Sequence, residues 1–158
     1  MKLETDPITD DEWLLRRVPK DRFRTDKTPV ISLNAFEPRI EGPKVRDPDT
    51  DGISLYREAC LTAPDVVLTT LALDKQPNYG IVRLQVAFIK SLKLTVEIKL
   101  DDRILGHVVI PEMNSMRYED KQIKESIKQN MLKLAEEASK IENIVREPQI
   151  TGSKTSPT

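Results

Sequence analysis

The sequence predicts an α+β fold: a small mixed α/β domain followed by a long amphipathic C-terminal helix. Segments such as Ile81–Val86 alternate apolar and polar residues, which is the strand period. From Tyr118 to Arg146 the chain is rich in helix formers and holds neither Gly nor Pro. Between the strand candidates lie short helical patterns and turn residues, so the two kinds of element interleave.

The elements follow in order. Residues 1–12 are polar and read as a flexible N-terminus, with Thr9-Asp10-Asp11-Glu12 arranged as a capping box. Trp13–Val18 fits either a helical turn or a short strand, and Pro19 stops a helix there. The segment 20–51 is irregular and broken by prolines and glycine, with Val30–Phe36 as a strand or docked loop. Ile53–Tyr56 is a strand candidate, and Thr62 caps a helix running through Val66, Val67, Leu68 and Leu71. Pro77-Asn78-Tyr79-Gly80 turns the chain into the strand Ile81–Val86. A short helix over Ala87–Leu92 and strands over Leu94–Leu100 and His107–Ile110 complete a core domain at 13–111. The C-terminal helix is expected over 118–147, ended by Pro148, and the tail 149–158 has a disordered composition.

At 158 residues and 18.0 kDa the chain is the size of one domain and long enough to bury a core without staples. Its 25 basic and 26 acidic side chains nearly cancel, so no global charge draws it to nucleic acid or an anionic membrane. One cysteine, Cys60, excludes an internal disulfide and a cysteine-based zinc site. No apolar run approaches a membrane span, and the acidic N-terminus does not resemble a signal peptide. A cytoplasmic location without membrane contact is the expectation.

Four patterns bear on chemistry. Asp47-Pro48-Asp49-Thr50-Asp51-Gly52 with Glu58 at the twelfth position matches the letters of an EF-hand calcium loop. Ser54 at its eighth position and the breakers Pro38, Gly42 and Pro43 before it argue against that loop, so no metal or cofactor is assigned. His107, the one histidine, stands at the start of a strand where it can serve as acid or base. Arg16, Arg17, Ser32, Ser54, Tyr56 and Arg57 converge if their strands are neighbours, and arginine forks beside hydroxyls suit an anion or nucleotide. The weak catalytic candidates are Arg17, Ser54, Arg57 and His107. Between Arg16 and Arg46, nine basic residues against four acidic ones make a nucleic-acid contact a further option.

The series Leu14-Leu15-Arg16-Arg17-Val18-Pro19, Ser32, Ala35-Phe36, Gly52-Ile53-Ser54, Gly80-Ile81-Val82-Arg83-Leu84 and Gly106-His107-Val108-Val109-Ile110 resembles an uncharacterised family of small bacterial proteins. The resemblance implies a bacterial or phage-related origin and a compact domain from Trp13 to Pro111. It carries no activity. Members have Leu-Gly-Leu where this chain has Leu92-Lys93-Leu94.

The leading functional expectation is an interaction module. Ile127, Met131, Leu134, Ala138, Ile141 and Val145 form one apolar seam on the C-terminal helix, suited to a partner protein or a second copy of the chain. The alternatives are an enzyme or binding protein for a nucleotide or nucleic acid using the Arg/Ser/His set, and calcium binding at 47–58.

Overall fold

Where apolar and polar residues alternate, the chain forms strands, and their parity sorts the side chains into two layers. The computed structural model describes residues 1–40, 48–101 and 103–149. Strands β1 (Trp13–Pro19), β2 (Ile53–Arg57), β3 (Tyr79–Gln85), β4 (Glu97–Ile98), β5 (His107–Ile110) and β6 (Ile144–Arg146) form one sheet. All pairings are antiparallel and the order is β4-β5-β2-β1-β3-β6. Helices α1 (Val86–Ser91), α2 (Ser115–Glu119) and α3 (Lys121–Ala138) complete a mixed α+β architecture.

One face of the sheet carries Leu14, Val18, Ile53, Leu55, Val82, Leu84, Val108 and Ile110, packed with Ile127, Met131, Leu134, Ala135 and Ala138 of α3. The other carries Leu15, Tyr56 and Ile81 under Val67, Leu68 and Ile104. Residues 23–36 of the irregular segment dock on the first face: Phe23 bridges Ile31, and Ser32 caps a 3-10 turn over Leu33–Phe36. The helix expected after Thr62 is a single 3-10 stretch, Pro64–Leu68, with Ala63 at its cap.

The C-terminal helix is shorter than expected. Asn114 and Asp120 each accept a backbone N–H bond, from Arg117 and Gln122, so the first turns divide into α2 and α3. At the other end, the Ser139 hydroxyl donates to the Ala135 carbonyl (2.7 Å) and accepts the Ile31 N–H (2.9 Å), tying the helix end to the docked loop. Lys140 is extended, and the β-branched pair Ile144-Val145 then pairs with β3 as β6. The tail beyond Gln149 lies outside the described residues.

The N-terminal residues, expected to be loose, are bonded to the core instead. Lys2 N–H donates to the Ala59 carbonyl at 2.8 Å, and Gly106 N–H donates to Glu4 Oε2 at 3.3 Å. Arg57 holds the rest. Its Nε and one terminal nitrogen fork onto Glu12 at 2.8 Å each, and the remaining donors go to the carbonyls of Glu4, Asp6 and Pro7. All five guanidinium hydrogens therefore have acceptors. Among the described residues no helix is long and apolar enough to cross a membrane.

Candidate functional site

Antiparallel pairing of β2 with β5 sets Tyr56 opposite His107 and Ser54 opposite Val109. Those four residues therefore share one face, with Ser54 and His107 on a diagonal that side chains can span. His107 Nε2 lies 2.8 Å from Ser54 Oγ, and Nδ1 lies 2.6 Å from the Lys99 carbonyl. A carbonyl only accepts, so Nδ1 carries the proton and Nε2 is left to accept from the serine hydroxyl. Burial lowers the His107 pKa, against the raising effect of the Lys99 bond and Asp101, so the neutral ring is favoured. The result is a hydroxyl, a base able to take its proton, and a fixed group orienting the base.

These side chains border a cleft of about 640 Å³ over β1, β2 and β5. Arg16, Arg17 and Arg39 line it, as do Lys99, Arg103, Tyr56 and Tyr79. Arg17 is on the cleft face by parity with Leu15, and one terminal nitrogen donates to the Val67 carbonyl and to Thr70 Oγ1 at 3.1 and 2.8 Å. Arg16 reaches the cleft differently. The β1–β2 pairing covers only Leu14↔Arg57 and Leu15↔Tyr56, and Arg16 follows directly beyond it. It donates to the Ser54 carbonyl at 2.7 Å and to the Ala35 carbonyl at 2.8 Å, over the ring of Phe36.

Of the four catalytic candidates the structure brings three together: Arg17, Ser54 and His107. Arg57 is not among them. It neighbours Tyr56 on the strand, so it faces the opposite side, where it is fully buried against Glu12. Ser32 serves as a cap, its hydroxyl accepting the Asn34 N–H. Sequence reasoning missed Arg39, Lys99, Asp101, Arg103 and Tyr79. Their shared cleft depends on strand order, which leaves no local signal.

The acidic turn does not gather as a calcium loop does. Asp49 accepts the Arg39 N–H at 2.7 Å and pairs with its guanidinium, while Asp51 pairs with Lys99 at 3.3 Å. With the five residues of β2 between them, Glu58 lies six extended steps, about 20 Å, from Gly52. Among the described residues no group of three acidic, histidine or cysteine side chains is placed to hold a metal ion; Asp47 lies outside them. Of the described basic residues between Arg16 and Arg46, Arg16, Arg17 and Arg39 share the cleft, whereas Arg22 pairs with Asp21 and Arg24 donates to the Pro29 carbonyl.

Four of the six seam residues, Ile127, Met131, Leu134 and Ala138, are buried in the domain's own core. Ile141 is 86% exposed but belongs to a 3-10 turn, and Val145 sits in β6. No family model, curated protein or solved structure matches the chain.

Proposed function

We propose that this protein is an enzyme acting on a small anionic ester, of which a nucleotide is one kind, with Ser54 as nucleophile and His107 as general base. The observation that supports it best is the Ser54–His107 hydrogen bond, with its ring oriented by Lys99, inside a cleft lined by arginines. The cleft volume falls within the range of small-molecule sites, and Tyr79 and Leu71 give it an aromatic and an apolar wall. In the reaction, the Ser54 proton passes to His107 Nε2 as Oγ bonds to the electrophilic centre of the ester. The ester bond to the leaving oxygen breaks, and that oxygen takes the proton from Nε2. Water then releases the product by the same route in reverse.

Docking through the C-terminal helix is the weaker reading, because most of its seam already faces the sheet. The test is covalent labelling with a fluorophosphonate followed by peptide mapping. Wild type is expected to be modified at Ser54, Ser54→Ala to be unmodified, and His107→Gln to react at least about 100-fold more slowly. Labelling that is absent, or equally fast in His107→Gln, overturns the proposal.

A further inference from the structure

The cleft's charges do not balance. Three carboxylates line it, Asp49, Asp51 and Asp101, and each pairs with one cation: Arg39, Lys99 and Arg103 respectively. The two remaining cleft cations are Arg16 and Arg17, and among the described residues neither has a carboxylate within ion-pair distance. Arg17 is adjacent to Arg16 on β1, and both border the place where β1 and β2 part.

We infer that the gap between β1 and β2 is a phosphate subsite, in which Arg16 and Arg17 neutralise a dianionic phosphate group of the ligand beside Ser54. This rests on reading the cleft as the site of an anionic ester, and it names the anion. Two cations in excess match two negative charges. Guanidinium forks match phosphate oxygens better than ammonium groups do. Arg16 is held for the role by its environment: two backbone carbonyls fix its plane, and Phe36 backs it. Its position is electrostatically unsatisfied. Burial pushes its pKa down to about 10, with Asp49 offsetting only part of that. An anion seated against it would offset the penalty, so the folded chain favours a negatively charged ligand there.

The position also has a mechanical logic. A continued ladder would set Arg17 opposite Ser54, closing the gap with backbone bonds. Arg16 takes the Ser54 carbonyl instead, so the strands stay apart where the ligand has to enter.

The experiment is a titration of the full chain with inorganic phosphate, followed by calorimetry and by 31P line width, with chloride at matched ionic strength as the control. Saturable binding is expected. It should weaken at least about tenfold in Arg17→Gln, a half-buried position whose loss spares the sheet, and be unaffected in Lys90→Gln, whose side chain pairs with Asp10 away from the cleft. Arg16→Lys keeps the charge but not the fork, and should also weaken binding. Phosphate binding that persists in both arginine variants, or no saturable binding by the wild type, overturns the subsite. Because phosphate needs no nucleophile, Ser54→Ala should bind it as tightly as wild type. A chain that binds phosphate but resists fluorophosphonate thus keeps the subsite and loses the catalytic reading.

Discussion

Replacing Glu12 by Gln removes the carboxylate that, among the described residues, forms the ion pair with Arg57, a side chain with no solvent exposure. Burial alone would raise the Glu12 pKa, but the Arg57 fork, the Thr9 amide and Lys2 hold it down to about 2 from an ordinary 4.5. At about 1.4 kcal/mol per pH unit, that gap corresponds to about 3 kcal/mol of folding stability. Breaking a buried pair by removing one partner costs about 3–5 kcal/mol, so the two routes agree. Because the folded pKa is depressed, the contribution is complete above pH 4.5 and is lost as pH falls toward about 2. Urea unfolding of wild type and Glu12→Gln across that window is the assay. The difference should hold near 3 kcal/mol at neutral pH and shrink steadily below about pH 4.5. A difference under about 1 kcal/mol at neutral pH, or one independent of pH, refutes the assigned role of the pair.

Three further outcomes follow from the same structure. Leu134→Ala, at a fully buried position of α3, should lose about 2–5 kcal/mol, while Ile141→Ser should change stability by less than about 0.5 kcal/mol; chemical denaturation separates the two. Gly52 has φ of +118°, and a Cβ there would lie 2.2 Å from the Ile110 carbonyl oxygen, so Gly52→Ala should lower the melting temperature sharply. The rate of Ser54 labelling should rise with pH through the His107 pKa, with its midpoint below 6.5 because burial lowers that pKa; a midpoint above 6.5 would contradict the neutral ring.

Much of the fold was legible because it is written locally. Ile81–Val86 and His107–Ile110 announced β3 and β5 by period and composition, and Ala87–Leu92 marked α1 to within a residue or so. The C-terminal helix was overdrawn because its seam continues past Ala138 into Ile141 and Val145, while the stop lies in a tertiary contact, Ser139 to Ile31. Lys93 offers a smaller lesson. Its φ of +64° falls in the left-handed region just after α1, where glycine ends a helix with least strain. The family resemblance expected glycine at this step. In the candidate site, Ser54, Arg17 and His107 were readable as residue types suited to chemistry. Arg57 was misassigned because adjacent residues on a strand face opposite ways, and only the pairing of β1 with β2 reveals which face holds the cleft. Its buried partner Glu12 was read as a capping acid. That reading accounted for its Thr9 contact and not for the guanidinium 45 residues away.

The two-residue strand β4 leads into Lys99, whose N–H donates to the His107 carbonyl while its own carbonyl takes the ring proton. Edge rungs open more readily than central ones, so this clamp belongs to the least protected part of the sheet. When it opens, the ring loses the acceptor that keeps its proton on Nδ1 and is free to turn its other nitrogen outward. Reactivity at Ser54 would then follow the closed fraction of an outer strand far smaller than the core beneath it. Slow amide exchange at Lys99 would be the spectroscopic sign of a competent site, and one tether already favours that state: Glu112 accepts the Thr95 N–H at 2.9 Å, just ahead of β4.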